Sequence, residues 1–315
     1  MSKFLGIDTS NYTTSLSLFD DGGNGFLNLK KLLPVKSGEK GIRQSDAVFH
    51  HTVQLPELFD TADADFTEVK AVGVSVSPTL RSGSYMPCFL AGVSAAVAAA
   101  KTAGAKLYRF SHQQGHIAAV LAGGKWYDLI DKSFICFHLS GGTTDALLVS
   151  PDSENVFDIR LAAQSLDLKA GQAVDRVGLM LGFDFPCGVK LDEAAQKSDR
   201  RFNIKPSMKG FDCSLSGIEN KCRKMKDDGE SDEDVARFCI LSISAAVEEM
   251  LVRLYSEHGE MPVVFCGGVS SNSLLRKNFE EKYGAVFAPA GFSTDNACGT
   301  AYLAYLKNIR ENCND

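Results

Sequence analysis

Short apolar runs separated by polar turns form a series that occurs twice along the chain. The apolar runs of the first series span residues 4–7, 14–19 and 26–29. Those of the second series span residues 134–139, 145–149 and 156–161. Short apolar runs bounded by turn residues are typical of strands. The repetition therefore predicts two strand–strand–strand openings and an internal duplication.

Each opening is followed by apolar residues at helical spacing. Helices are predicted over residues 165–182, 232–258, 272–283 and 295–308. Ser165 is a candidate cap for the first of these helices, and Gly259 ends the second. A buried strand over 262–266 leads into Gly267-Gly268, whereas the mixture of Gly, Ser and Lys at 205–226 predicts an exposed excursion.

These elements predict an α/β fold of two similar lobes with a cleft between them. The first lobe is expected over residues 1–108, completed by the C-terminal helix 296–315. The second lobe, over 109–295, would carry the candidate metal site and most candidate nucleotide-binding residues. The alternative is a single doubly wound sheet, in which the likeness of the two halves is accidental.

Net charge, cysteine spacing and the length of the apolar stretches limit the kinds of function and location that we expect. The 315 residues carry a net charge of -6, which argues against binding of nucleic acid by a broad basic surface. A nucleic-acid substrate would need a basic partner. The nine cysteines lack zinc-site spacing, and we expect thiols of a reducing compartment. The polar N-terminus and the short apolar stretch at 89–100 predict neither a signal peptide nor a membrane span, so we expect a cytoplasmic protein.

Two histidines four residues apart, His112 and His116, are the sharpest chemical signal. Residues at this spacing share one face of a helix, so both imidazoles can reach one ion. Asp295 is a candidate third ligand, although it could equally cap the last helix. The histidines could instead be hydrogen-bonded residues of a helix start, and the spacing does not decide. His50, His51 and His258 are predicted to be surface or dipole-compensating residues.

Glycine turns after predicted strands are candidate phosphate sites, because their backbone N–H groups can surround an anion. They lie at Ser140-Gly141-Gly142 and at Gly267-Gly268, the latter leading to Asn272. The Asp8-Thr9-Ser10 turn could hold a metal–phosphate through water. Asp175 and Asp192, the latter close to Gly188, could bind a ribose hydroxyl. The alternatives are ordinary turns and solvated acids.

Taken in order, these motifs resemble the TsaD/YgjD/Gcp family. The resemblance begins at Leu5-Gly6-Ile7-Asp8-Thr9-Ser10 and includes His112-x-x-Gly-His116. The later motifs are Ser140-Gly141-Gly142, Gly171-Gln172-Ala173-Val174-Asp175-Arg176, Pro186 to Asp192, Ser214-Leu215-Ser216-Gly217, Gly267 to Asn272 and Thr294 to Ala297.

The resemblance implies the duplicated actin-like ATPase (ASKHA) fold with a nucleotide cleft between its lobes. It implies iron or zinc on His112, His116 and Asp295. It also implies binding of ATP or threonylcarbamoyl-adenylate, with magnesium as a further candidate ion. The matching nucleotide residues are His138, Leu139, Ser140, Gly141, Gly142, Asp175, Gly188, Asp192 and Asn272.

The family reaction moves a threonylcarbamoyl group from its adenylate to the N6 amine of the adenosine beside the anticodon of tRNA. Asp8 and Ser10 are the catalytic candidates. The implied partners are tRNA, reached through helper subunits, and proteins resembling TsaB and TsaE, with a homodimer or heterodimer as the expected assembly.

This chain departs from the family pattern at four motifs. Tyr12 and Thr13 stand where members carry two acids, and Thr143 replaces a His. The first-lobe Gly-Pro-Gly-Leu run is here Ser77-Pro78-Thr79-Leu80, and Glu219 replaces a Lys. His138 stands where some members place a metal-binding Tyr, which suggests a third imidazole on the metal; it could also be a satisfied strand histidine. The alternatives are a carbamoyltransferase for another acceptor, like the related domains of HypF and TobZ, or a non-catalytic nucleotide-binding regulatory subunit.

Overall fold

The structure is a computed structural model. It describes residues 2–10, 12–23, 25–34, 42–289, 291–293 and 297–313. The chain forms two compact units. Unit 1 comprises Met1–Ile130, Pro151–Asp158 and Thr294–Asp315, and unit 2 comprises Asp131–Ser150 and Ile159–Ser293.

The described strands are β1 (Lys3–Asp8), β2 (Thr13–Asp20), β3 (Gly25–Leu32), β4 (Val69–Ser77), β5 (Lys106–Ser111), β6 (Phe134–Leu139), β7 (Thr144–Asp152), β8 (Val156–Gln164), β9 (Ser207–Lys209), β10 (Asp212–Ser214), β11 (Val263–Cys266) and β12 (Val286–Phe287). The described α-helices are α1 (Gln44–Thr61), α2 (Phe89–Ala103), α3 (His112–Gly123), α4 (Ala170–Met180), α5 (Gly188–Gln196), α6 (Ser216–Asp227), α7 (Asp232–His258), α8 (Ser273–Tyr283) and α9 (Cys298–Asn312).

Unit 1 is built on a five-stranded sheet of order β3-β2-β1-β4-β5. β1 pairs antiparallel with β2 and parallel with β4. Because successive strand residues point to opposite faces, β1 presents Leu5 and Ile7 to an apolar cluster that includes residues of α1 and α2. Its other face presents Gly6, where a Cβ would collide with backbone atoms of Ala297 and Ala301. α9 therefore lies close against this face, which Asp8 shares.

Unit 2 repeats the arrangement with a sheet of order β12-β11-β6-β7-β8. β6 pairs antiparallel with β7 and parallel with β11. Phe137 and Phe265, on these two strands, stack with ring centroids 5.1 Å apart, and Phe279 of α8 packs on Phe265. The predicted strand trio is thus confirmed at the start of both sheets. α7 also has its predicted bounds, because Ser231 caps its start and Gly259, at φ 81°, ends it.

Three predicted segments differ from the structure. The helix expected from Ser165 begins only at Ala170, because the Ser165 hydroxyl donates to the carbonyl of Leu168 and closes a local turn. The exposed excursion predicted at 205–226 is wrong, since this segment forms β9, β10 and α6. It places Cys213, Leu215, Ile218 and Cys222 in the core of unit 2. The last helix begins at Cys298 rather than at residue 295, which lies outside the described residues.

The unit boundary also differs from the predicted lobe boundary. Residue 108 lies inside β5, and unit 1 continues through α3 to Ile130. α3 belongs there because it packs on α9: a Cβ on Gly299 would overlap the backbone of Gly115. Consequently His112 and His116 lie in unit 1, whereas the prediction assigned them to the second lobe. Within the described residues, no helix is long and apolar enough to cross a membrane.

Candidate functional site

Both candidate metal-binding histidines lie in the first turns of α3. Ser111 caps this helix: its Oγ accepts a hydrogen bond from the Gln114 amide at 3.2 Å, and Gln114 Oε1 accepts one from the Ser111 amide at 2.8 Å. This capping box fixes the helix start. The rings of His112 and His116 consequently lie one turn apart, with centroids separated by 4.3 Å and planes inclined by 70°.

Asp8, at the end of β1, holds one of these rings. Its Oδ2 lies 2.8 Å from His112 Nδ1 and also accepts a hydrogen bond from the Ser75 hydroxyl, while its Oδ1 accepts one from the Ser10 amide at 2.8 Å. The carboxylate is buried. Burial by itself raises the pKa of Asp8. The charge of His112 and the hydrogen bonds from His112, Ser75 and Ser10 lower this pKa by more than burial raises it, so that it falls below its usual range.

This arrangement gives Asp8 a structural partner in addition to the role expected from the sequence. The water-mediated contact to a metal–phosphate stays a prediction, and in the structure the carboxylate is engaged by protein groups. A carboxylate on one imidazole nitrogen fixes the ring so that the other nitrogen can bind an ion. Ser75 and Thr300, whose hydroxyl oxygens lie 3.3 Å apart, complete the network. Sequence reasoning missed both; a serine within the otherwise apolar run 71–76 was the only hint of Ser75.

The donor set of the candidate metal site is only partly described. Asp295 lies outside the described residues, and within the described ranges no three His, Cys, Asp or Glu side chains are grouped to hold an ion. The two imidazoles fit a zinc or iron ion by chemistry, because His112 Nδ1 is engaged by Asp8 and Nε2 is the ring nitrogen that could coordinate. His138 lies in β6 of unit 2 and is buried. In the sheet it stands opposite Cys266 of β11 and Asp145 of β7.

The first glycine turn of unit 2 lies against the start of α4. Ser140 Oγ accepts hydrogen bonds from the amides of Gly142 at 3.2 Å and Thr143 at 3.0 Å. The Gly171 amide donates to the Ser140 carbonyl at 3.0 Å. A Cβ on Gly171 would lie 2.6 Å from the Gly141 nitrogen, so only glycine permits this approach. The turn after β6 is therefore held against a helix N-terminus, while Gly141 and Gly142 have open space where a Cβ would be.

The second glycine turn follows β11. Gly267 adopts φ 89°, and a Cβ there would lie 2.9 Å from His138 Cδ2 and collide with the Leu139 carbonyl. Gly268 begins a 3-10 turn and has open space around it. Because β6 and β11 are parallel neighbours, the two glycine turns emerge at the same edge of the sheet.

The candidate ribose-binding acids of unit 2 are engaged by protein groups. Asp175 of α4 accepts a hydrogen bond from the Cys187 amide at 2.9 Å, next to Gly188 at the start of α5. Burial raises the pKa of Asp175. Asp192 of α5 accepts from Asn272 Nδ2 at 2.9 Å and from the amide and hydroxyl of Ser273 at 3.1 and 2.8 Å. These bonds join α4 to α5 and α5 to α8.

One histidine prediction is wrong. His51 is fully buried in α1, whereas the sequence suggested a surface residue. Its Nδ1 lies 2.8 Å from Thr14 Oγ1, and Thr14 in turn contacts Gln54. The polar run around residues 50–54 concealed this, because α1 buries one face of the helix and exposes the other.

Comparison with known proteins identifies the chain's relatives. Residues 34–302 match the family model TsaD, described as tRNA N6-adenosine threonylcarbamoyltransferase. A protein of that name from Dehalococcoides mccartyi is 30% identical over 322 residues, covering 98% of this chain and 94% of the relative. Another, from Thermosipho africanus, is 29% identical over 329 residues, covering 97% and 95%.

Solved structures share the fold at low identity. Component A of (R)-2-hydroxyglutaryl-CoA dehydratase from Acidaminococcus fermentans has a TM-score of 0.57 and 16% identity, covering 99% of this chain and 100% of that one. HypF from T. kodakarensis has a TM-score of 0.59 and 12% identity, covering 98% of this chain and 48% of HypF. These neighbours confirm the predicted actin-like ATPase fold. From the family match and the relatives, the chain belongs to the TsaD family of tRNA N6-adenosine threonylcarbamoyltransferases.

Proposed function

We propose that this protein transfers a threonylcarbamoyl group from threonylcarbamoyl-adenylate to the N6 amine of the adenosine next to the anticodon of tRNA. The observation that carries the proposal is the bond between Asp8 and His112, found in a chain that belongs to the TsaD family. The bond orients one of two adjacent imidazoles, which is the preparation that a metal-assisted acyl transfer requires.

Unit 2 is proposed to bind the adenylate. Backbone N–H groups of a glycine turn at a helix N-terminus favour a phosphate, and the turn Ser140–Gly142 has this setting beside α4. Gly267 and Gly268 would line the same edge. His138, Leu139, Asp175, Gly188, Asp192 and Asn272 are the further proposed contacts. Because Asp192 already accepts three protein hydrogen bonds, it would contact a ribose with the lone pairs that remain.

His112 and His116 are proposed to hold iron or zinc in unit 1, with Asp295 as third ligand and His138 as a further candidate. Such an ion supplies Lewis-acid polarisation of the carbonyl that is attacked. Asp8 fixes the orientation of the His112 ring. Ser10, whose amide bonds to Asp8, presents a hydroxyl from the adjoining turn.

Net charge and family membership together suggest how tRNA is reached. With a charge of -6, the chain lacks the overall basic character that binds a nucleic-acid backbone unaided. We propose that helper subunits of the TsaB and TsaE type present the tRNA, in a cytoplasmic complex.

A second candidate function is carbamoyl transfer to another acceptor. It is favoured by Tyr12, at the end of the turn after β1, and Thr13, the first residue of β2, because the family pattern has acids at these two positions. Thr13 is buried in β2, so it cannot replace a carboxylate exposed to an acceptor amine.

Complementation tests the proposal. The gene would replace the resident tRNA-modifying transferase, and the modified nucleoside would be measured in digested tRNA. We expect the modification to be restored by the wild-type protein and by a His258→Ala control, but not by a His112→Ala, His116→Ala double variant. Absence of the nucleoside despite full expression of the wild type with its helpers would contradict the proposal and favour the second candidate.

A further inference from the structure

Positive charge is concentrated in one segment of unit 2. Residues 197–226 contain nine Lys and Arg residues but only three Asp and Glu residues, in a chain whose net charge is -6. Lys205, Lys221 and Lys224 are exposed, and within the described ranges they have no ion-pair partner. The acidic chain therefore carries a local surface of opposite sign, which the overall charge conceals.

Other cations near this surface are neutralised by acids. Glu219 of α6 forms ion pairs with Arg223 at 3.2 Å and with Arg176 of α4 at 3.1 Å. Lys226, in the last turn of α6, lies 3.3 Å from Asp232. The three unpaired lysines are thus the part of the segment whose charge is open to an external anion.

Two of the unpaired lysines line the same depression. Lys205, in the irregular chain before β9, and Lys221 of α6 both border a cavity of about 60 Å³. At about 30 Å³ for each water, this volume has room for about two waters, or for two oxygens of one oxyanion. Lys224 follows Lys221 by three residues, so it extends the same face of α6.

Hydroxyl groups also line the depression. Ser207 of β9 and Ser214 of β10 stand opposite each other in the hairpin, and both border the cavity. Ser242 of α7 is the buried polar residue of the lining, and its Oγ has no hydrogen-bond partner in the described part of the chain. Buried polar groups are nearly always hydrogen-bonded, and exceptions indicate a water or a ligand.

Lysines beside serine hydroxyls match the chemistry of a phosphate group. Most contacts of proteins with nucleic-acid backbones come from Lys and Arg, from hydroxyl side chains and from backbone amides. A phosphodiester presents two charged oxygens to such a site and repeats them along the strand. The row of Lys205, Lys221 and Lys224 therefore suits a nucleic-acid backbone better than a single small anion.

The basic surface is joined to the glycine turn that is proposed to bind the adenylate. The Asp167 carboxylate accepts hydrogen bonds from the amides of Leu215 at 2.7 Å and Ser216 at 3.3 Å, which holds the start of α6. Three residues after Asp167 the chain enters α4, where the Gly171 amide bonds to the Ser140 carbonyl at 3.0 Å. Both features consequently belong to one framework within unit 2.

We propose that Lys205, Lys221 and Lys224 bind the phosphate backbone of tRNA, with one phosphate at the depression beside Ser207 and Ser214. Helper subunits would bring the tRNA, and this surface would supply contacts of the chain itself. The inference rests on the proposed function for the identity of the nucleic acid.

The salt dependence of tRNA binding tests the proposal. The probe is a full-length tRNA with an adenosine beside the anticodon, labelled with a fluorophore at one end, and binding to the full chain with its helper subunits is followed by anisotropy at several KCl concentrations. The test variant carries Lys205→Gln and Lys221→Gln. A second variant with Lys205→Arg and Lys221→Arg retains the charge. The control carries Lys70→Gln and Lys277→Gln, which replace two exposed lysines outside the segment.

Each phosphate that a protein neutralises contributes about 0.7–0.9 to the slope of log K against log salt. We therefore expect the slope of the glutamine double variant to be shallower by about 1.4–1.8, with affinity about tenfold weaker at 100 mM KCl. Lys224→Gln should change the slope by about half as much. The arginine double variant and the control should match the wild type.

Wild-type affinity and slope in the glutamine double variant would overturn the inference. If this variant instead loses binding to a labelled helper subunit, the surface binds an acidic protein and the inference is wrong. If the wild type modifies tRNA while the lysines leave binding unchanged, the proposed function stands and the inference fails. If the lysines set the slope but the wild type with its helpers forms no modified nucleoside, the tRNA surface stands and the proposed reaction is wrong.

Discussion

The Nδ1 atom of His112 lies 2.8 Å from Oδ2 of Asp8, a buried carboxylate at the end of β1. We expect Asp8→Asn to lower metal affinity by about 10- to 100-fold, because residues that orient a metal-binding histidine have effects of this size. Transfer activity should fall with it, and removal of metal by a chelator should abolish the remainder. Metal content measured by mass spectrometry after dialysis checks the prediction. The control Asp60→Asn, at an exposed position, should retain as much metal as the wild type. Equal metal content in Asp8→Asn and Asp60→Asn would contradict the prediction.

Gly267 is required by its backbone conformation and by its neighbours. With φ at 89° and the β6 backbone in contact, a Gly267→Ala substitution should destabilise the fold by about 2–4 kcal/mol. Gly268→Ala is the matched control, since its Cβ meets open space, and should change stability by less than about 1 kcal/mol. Urea unfolding midpoints compare the two, and equal midpoints would refute the argument.

Thr14 connects two buried partners, so its hydroxyl should matter more than its size. Thr14→Val leaves Gln54 Oε1 and His51 Nδ1 without their bonds, and we expect a loss of about 2–4 kcal/mol. Thr52→Val, on the exposed side of α1, should cost less than about 1 kcal/mol. Chemical denaturation of both variants is the measurement. A Thr14 variant as stable as the Thr52 variant would show that the hydrogen bonds of Thr14 with His51 and Gln54 are not formed.

Glu248 should make stability depend on pH. It accepts hydrogen bonds from Lys282 and Tyr283 at 2.9 Å and from Asn278 at 3.2 Å. Burial raises the pKa of Glu248, but these partners lower it more, to below its usual value. A lowered folded-state pKa gives stability that is present above the unfolded pKa and is lost as pH falls through the folded one.

The advantage of the wild type over Glu248→Gln should therefore be about 1–2 kcal/mol at pH 7 and shrink as the pH is lowered below about 4.3. Unfolding free energies measured from pH 7 downward check this. An advantage that persists unchanged at the lowest pH would contradict the assignment. The exposed Glu257→Gln serves as control.

The first three strands of each sheet could be predicted because their signals are local. Apolar runs between turns define β1 to β3 and β6 to β8, and Gly259 marks the end of α7. The helix after β8 was misplaced because Ser165 satisfies the Leu168 carbonyl rather than capping a helix, a choice that depends on tertiary packing. α6 was missed because its Lys and Ser residues concealed the buried Ile218 and Cys222.

The candidate site was predictable by residue type but not by arrangement. The His112 and His116 spacing indicated a shared face, and the structure places both rings there. The partnership of Asp8 with His112 joins residues 104 positions apart, which no spacing rule can reveal. His51 was misjudged for the same reason, because its burial depends on the partners Thr14 and Gln54 rather than on its polar neighbours.

The distribution of thiols has a practical consequence. Eight of the nine cysteines are buried, and Cys313, one residue beyond α9, is exposed. A maleimide dye added to the native protein should therefore attach at one defined position near the chain end, without any engineered substitution. Fluorescence transfer from this dye to labelled tRNA or to a helper subunit would then report where each one docks.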